Sequence, residues 1–157
     1  MMQTPVILEL PSAAPVTLTD VVLDFSGTLA LDGTLLPGVA ERLAAVAARL
    51  RITVLTADTF GTAAEALKGL PLNVKVLATG TEKARYVSRL GAGHVVAIGN
   101  GRNDVEMLRV ATIAIAVIGP EGAAGELVRV ADVVVRDISE ALELVLHPLR
   151  LKATLRD

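Results

Sequence analysis

Asp24-Phe25-Ser26-Gly27-Thr28 closes the apolar run Val21-Val22-Leu23, and Gly99-Asn100-Gly101-Arg102-Asn103-Asp104 closes Val95-Val96-Ala97-Ile98. An open α/β sheet binds its ligands outside the carboxyl ends of parallel strands, so polar clusters at two such ends converge on one site. A carboxylate placed there, Asp24, can attack phosphorus to give an aspartyl-phosphate, which splits one difficult displacement into two easier ones. Gly27 lacks the Cβ that would keep backbone N–H groups away from phosphate oxygens, and Thr28 adds a hydroxyl. The second cluster brings oxygen ligands suited to a hard cation; carboxylate, Mg²⁺ and backbone N–H groups together handle a phosphoryl group. A third strand end, Val54-Leu55-Thr56-Ala57-Asp58, offers the Thr56 hydroxyl and the N–H groups that follow it, from Ala57 onwards, near a helix N-terminus. Each residue also has a plain structural reading: Asp24 as a turn residue after a strand, Thr56 as a strand end, Asp58 or Thr59 as the cap of a helix, Asn103 or Asp104 as the cap of another.

The elements that must position these residues follow from the hydrophobic pattern. Short β-branched runs alternate with alanine- and leucine-rich stretches, the pattern of a parallel sheet with crossover helices. The expected architecture is a three-layer, Rossmann-like α/β domain with helices on both faces of the sheet. Strands are expected over 21–24, 52–56, 74–78, 95–99, 113–118 and 133–135. Helices are expected from Pro37-Gly38 to 50, then over 59–67, from Thr81 to Gly91, and over 104–111, 122–131 and 138–146. Asp32-Gly33 is a turn pair between Leu29-Ala30-Leu31 and Thr34-Leu35-Leu36, which predicts a short hairpin directly after the first cluster. The spacings from Asp24 to Thr56 and from Thr56 to Lys83 are each about 30 residues and are spent on crossovers, so no cap domain fits.

At 157 residues, 52% of them hydrophobic, with a net charge of −2, the chain is expected to be one domain, 1–157, with a core of about 18–147 and a tail of 148–157. The leading segment has no basic n-region or sustained apolar h-region, and no stretch approaches the ~18 apolar residues of a membrane span, so a cytoplasmic protein without a membrane partner is expected. The absence of cysteine excludes disulfides and thiolate chemistry, and His94 and His147 are too far apart for a close-spaced metal pair. With 2% aromatic residues and mixed charges, the chain shows neither a basic stripe nor stacking platforms, and nucleic acid is not an expected partner. The tail over 149–156 alternates apolar and polar residues, a pattern that suits a strand added to another subunit and favours a homo-oligomer.

The two clusters resemble the signature motifs of the haloacid dehalogenase-like phosphotransferase superfamily. Its first motif, Asp-x-Asp-x-Thr, is met here with Ser26 in place of the second Asp, and its last, Gly-Asp-x-x-x-Asp, with Asn100 in place of an Asp. Order along the chain matches Thr56 to the second motif and Lys83 to the third, so the likeness runs over about 21–135. The resemblance implies Asp24 as nucleophile, Thr56, Ala57 and Lys83 at the phosphoryl group with Gly27, Thr28 and Asn103 beside them, and a hairpin flap. It further implies Mg²⁺ held by Asp24, the Ser26 carbonyl, Asn100 and Asp104. A phosphorylated small molecule or phosphoprotein is the implied substrate.

Thr56-Ala57-Asp58 is also similar to the Thr-Gly-Asp of P-type ATPase phosphorylation domains, whose first motif carries Thr where Ser26 stands. In hydrolytic members of the superfamily the Asp at that place is the general acid/base. A serine hydroxyl does that work poorly at neutral pH, so a long-lived aspartyl-phosphate is the expectation. The same two departures, Ser26 and Asn100, also fit a phosphate-binding regulatory domain or a subunit of a larger assembly.

Overall fold

The computed structural model describes residues 3–11, 13–58 and 61–156. Ten strands and seven helices are assigned among them. The strands are β1 (Val6–Leu8), β2 (Val16–Leu18), β3 (Asp20–Asp24), β4 (Ala30–Leu31), β5 (Thr34–Leu35), β6 (Arg51–Thr56), β7 (Asn73–Val76), β8 (Val95–Gly99), β9 (Ile113–Val117) and β10 (Val133–Val135). The helices are α1 (Val39–Ala47), α2 (Thr62–Ala66), α3 (Gly80–Leu90), α4 (Val105–Val110), α5 (Gly125–Val130), α6 (Ile138–Leu146) and α7 (Pro148–Leu155).

Six strands form one parallel sheet in the order β10-β9-β8-β3-β6-β7. From the central β3 the chain first builds outward through β6 and β7. It then crosses back to β8 on the other side of β3 and continues to β9 and β10. The order therefore reverses between β3 and β8, and the crevice that such a reversal opens lies between the end of β3, at Asp24, and the end of β8, beside Asn100.

Alternation along β3 sorts the core into two layers. Val21 and Leu23 pack in the cluster that holds Leu43 and Val46 of α1 and Leu142 and Val145 of α6. Val22 packs on the opposite face, with Val87 of α3, Met107 and Leu108 of α4 and Leu127 of α5. Since side chains alternate with a period of two, Asp24 shares the face of Val22 and points toward the layer that contains α3. Strand parity thus brings Lys83, on α3, under the end of β3.

The hairpin β4–β5 pairs Ala30 with Leu35 and Leu31 with Thr34. Its two-residue loop has positive φ at both Asp32 and Gly33, as a type I′ turn demands. β5 leads directly to α1 and β6 leads through α2 to β7, with no inserted cap.

Several boundaries differ from the sequence reading. α3 starts at Gly80, because Thr79 accepts from the Glu82 N–H at 3.2 Å and so acts as N-cap. α1 ends at Ala47, and α4 follows a 3₁₀ turn over Arg102–Asp104. α2 starts at Thr62 with Gly61 as its N-cap, so Asp58 does not take the expected cap position, although its Oδ2 accepts from the Thr62 N–H at 2.9 Å; the alternative cap Thr59 lies outside the described residues. β1 and β2, an antiparallel pair, were not expected.

The tail is a helix, not an added strand. Pro148 stands at the first position of α7, where its missing N–H costs nothing, and Leu151 and Leu155, four residues apart, share the inward face. α7 packs on β1 and α6, so the strand argument for a homo-oligomer falls away. No helix among the described residues is long and apolar enough to cross a membrane.

Candidate active site

At the carboxyl edge of the sheet an open cleft of about 260 Å³ is lined by Asp24, Ser26, Thr56, Ala57, Asp58, Asn100, Gly101, Asn103 and Glu121. Three strand ends and the loop after β9 meet there, so the clusters singled out in the sequence do converge.

The floor is an ionic triad. Lys83 Nζ donates to Asp24 Oδ1 at 3.0 Å and to Asp104 Oδ1 at 2.8 Å, with Lys83 and Asp104 both 0% exposed. Asp104 Oδ2 accepts from the backbone N–H groups of Asn100 and Gly101 at 3.2 and 3.1 Å, which folds the Gly99–Asp104 loop back on itself. Gly99 makes this return possible, since a Cβ there would lie 2.5 Å from Asp104 Oδ2. Burial, with Asp104 close by, pushes the Asp24 carboxyl from 3.8 up to about 7, and Lys83 works against that shift. Burial also opposes the charge on Lys83, but the two carboxylates, Asp104 foremost, outweigh it and raise its pKa.

Thr56 sits at the end of β6, and its Oγ1 accepts from the Asp58 N–H at 3.1 Å, forming a tight turn around Ala57. Ala57, Ser26 and Asn103 are exposed in the cleft.

Other expected site residues turn inward. Thr28 is buried and donates through Oγ1 to Asn100 Oδ1 at 3.1 Å, so its hydroxyl joins the loops instead of facing the cleft. The Gly27 N–H donates to the Ala30 carbonyl at 2.8 Å. Gly27 contributes room: φ is +76°, and a Cβ would lie 2.6 Å from Asn100 Nδ2 and 2.8 Å from Glu121 Oε1. Lys83 lies beneath Asp24, outside the cleft lining, and Asp104 is wholly engaged by Lys83 and the loop.

The sequence reading missed Glu121. It lies in the Gly119-Pro120-Glu121-Gly122 loop after β9, and the adjacency of β9 to β8 is the signal that carries this loop to the same rim.

Comparison with known proteins agrees with this fold. The family described as haloacid dehalogenase-like hydrolase matches residues 53–141, which include Thr56, Lys83, Asn100 and Asp104 and begin after Asp24. An uncharacterized protein of Methanocaldococcus jannaschii is 51% identical over 63 residues, 40% of this chain and 68% of that protein. Among solved structures, the 3-deoxy-D-manno-octulosonate 8-phosphate phosphatase of Moraxella catarrhalis, in complex with magnesium, phosphate and KDO, superposes with a TM-score of 0.70 at 16% identity, over 87% of this chain and 90% of that one. A zinc-transporting PIB-type ATPase superposes with a TM-score of 0.63 at 23% identity over 76% of this chain, which spans 20% of the transporter. At these identities the two structures share the fold. With the family match extending over more than half of its length, the chain belongs to the haloacid dehalogenase-like hydrolases.

Proposed function

We propose that the chain is a Mg²⁺-dependent phosphatase or phosphotransferase that works through a phosphoryl group carried on Asp24. The observation that carries this reading is the Lys83 ammonium, 3.0 Å from Asp24 Oδ1 at the switch point of the sheet. It holds one carboxylate oxygen and leaves the other for phosphorus. In the forward step an Asp24 oxygen bonds to phosphorus as the ester P–O bond breaks, and the leaving oxygen takes up a proton. Water then attacks the acyl phosphate, releasing inorganic phosphate and restoring the carboxylate. Thr56, Ala57 and Asn103, which line the cleft with Asp24, are the groups offered to the phosphoryl oxygens.

The donor set suits a hard divalent cation, because it consists of oxygens, the Asp24 carboxylate and the Ser26 carbonyl, with Asp104 behind them; the Asn100 amide oxygen, expected among them, is turned to Thr28. When bound, such a cation would offset charge on the phosphoryl oxygens. The triad of Asp24, Asp104 and Lys83 carries one net negative charge when ionised, which matches a cation better than a bare phosphate.

An uncapped cleft accepts a phosphorylated small molecule, and its openness also admits a phosphoprotein segment. Ser26 favours a second reading. Because it places a hydroxyl where proton transfer to the leaving group is needed, the phosphorylated form is expected to persist, as a regulatory domain would require.

Intact-mass measurement with peptide mapping after exposure to a small phosphodonor, or to beryllium fluoride with Mg²⁺, tests the nucleophile. Labelling at Asp24 that needs Mg²⁺ is expected. No labelling, or equal labelling of Asp24→Asn, removes the assignment.

A further inference from the structure

The cleft holds a carboxylate that the catalytic reading leaves without work. Glu121 has no hydrogen bond or ion pair among the described residues, yet it lines the same cleft as Asp24, Ser26 and Asn100. Its loop is pinned to the end of β8, because Asn100 Nδ2 donates to the Gly122 carbonyl at 3.2 Å and the Ala124 N–H donates to the Asn100 carbonyl at 2.9 Å. Oε1 of Glu121 and Nδ2 of Asn100 crowd one point, 2.8 and 2.6 Å from where a Gly27 Cβ would stand. The carboxylate therefore lies beside the Gly27 backbone.

The other oxygens at this wall are largely spent. Asn100 Oδ1 accepts from the buried Thr28 hydroxyl. Asp104 Oδ2 has two N–H donors, and its Oδ1 takes Lys83. The Ser26 carbonyl accepts no hydrogen bond among the described residues. Asp24 alone is a thin complement for a dication, since its charge is shared with Lys83. Asp58, which also lines the cleft, accepts from the Thr62 N–H, so Glu121 is the one further carboxylate there with its oxygens unengaged among the described residues, and a cation between it and Asp24 would relieve their mutual repulsion.

We propose that Glu121 is the second anionic ligand of the divalent cation, supplying from the β9 loop the charge that Asn100 does not carry. This rests on the reading that the cleft binds a divalent cation beside Asp24. Hard cations accept carboxylates from any element that reaches them, so a ligand moved from the end of β8 to the neighbouring loop preserves the oxygen set.

Calorimetric titration of the full chain with Mn²⁺, followed in parallel by the Mn²⁺ electron paramagnetic resonance signal, tests the assignment. Glu121→Gln is expected to weaken Mn²⁺ binding about tenfold or more while leaving the fold intact. Adding Asn100→Asp to that variant is expected to recover much of the loss, because a carboxylate returns to the same wall. Affinity within about twofold of the parent in Glu121→Gln, with Asp24→Asn strongly weakened, overturns the role of Glu121 alone and leaves the cation site standing. A parent chain that binds no Mn²⁺, or an Asp24→Asn variant that binds it as the parent does, overturns both the cation reading and this inference.

Discussion

Thr28 and Asn100, 72 positions apart, are joined by a buried hydrogen bond of 3.1 Å that ties the loop after β3 to the loop after β8. The bond fixes the amide: its oxygen faces Thr28, and its nitrogen donates to Gly122. Asn100→Asp keeps the acceptor for Thr28 and replaces the nitrogen with an ionised oxygen near Glu121. Mg²⁺ affinity is expected to rise about tenfold, while the metal-free chain loses about 1 kcal/mol from the missing donor and the added repulsion. Calorimetry and a melting curve with and without Mg²⁺ check the two effects, and unchanged or weaker affinity would remove position 100 from the cation's surroundings.

Lys83 neutralises two carboxylates that are otherwise buried together. Lys83→Met keeps the volume and removes the charge, leaving Asp24 and Asp104 unpaired beneath the sheet edge. A loss of about 3–5 kcal/mol is expected from urea unfolding near neutral pH, because an uncompensated buried charge costs more than the pair contributes. Lys83→Met combined with Asp104→Leu should be less damaging than Lys83→Met alone. If the two variants unfold alike, the triad is not what holds this corner.

Asp24 links stability to pH. Its folded-state pKa, about 7, lies above the ordinary 3.8, so the folded chain retains this proton when the unfolded chain has released it. The contribution is therefore fully present below pH 3.8 and is lost as pH rises toward 7. Lys83, raised from 10.5, keeps its own contribution throughout that window and loses it only in alkali. Metal-free protein should show a falling component of unfolding free energy across the acid range, and Asp24→Asn should lack it. A parent and variant with parallel pH profiles would show that Asp24 titrates normally.

Much of this architecture is legible in the sequence because buried parallel strands read as apolar runs and their ends carry the polar residues. Asp24, Thr56 and Asn100 could be set at one rim from that pattern. Parity adds Lys83 only once β3 is known to be flanked by α3. What escaped had no periodic signal: Val6–Leu8 is three residues long, too short to count, and it pairs antiparallel with Val16–Leu18. The tail misled because Leu149, Leu151 and Leu155 satisfy alternation, while Leu151 and Leu155 also satisfy a helical spacing of four. Pro148 and the burial of Leu151 against 77% exposure of Leu149 decide for the helix. Glu121 stayed hidden in a Gly-Pro-Glu-Gly loop, since its place depends on the order of β8 and β9 in the sheet, which local sequence does not encode.

Ser26 is exposed in the cleft, one peptide beyond the residue that follows Asp24, and its hydroxyl is a weak proton carrier at neutral pH. Ser26→Asp places a carboxyl group where the leaving oxygen must gain a proton and where water must later lose one. If proton transfer limits turnover, breakdown of the phosphorylated chain should accelerate by about 10²–10⁴-fold, with a smaller effect on its formation. The added charge stands near Asp24 and Glu121, so donor and Mg²⁺ binding must be followed separately from the chemical step. Rapid-quench measurement of the phosphoryl group on Asp24 separates these effects. A Ser26→Asp variant that binds donor and becomes phosphorylated normally, yet releases phosphate no faster than the parent, would show that the hydroxyl at this position is not what prolongs the intermediate.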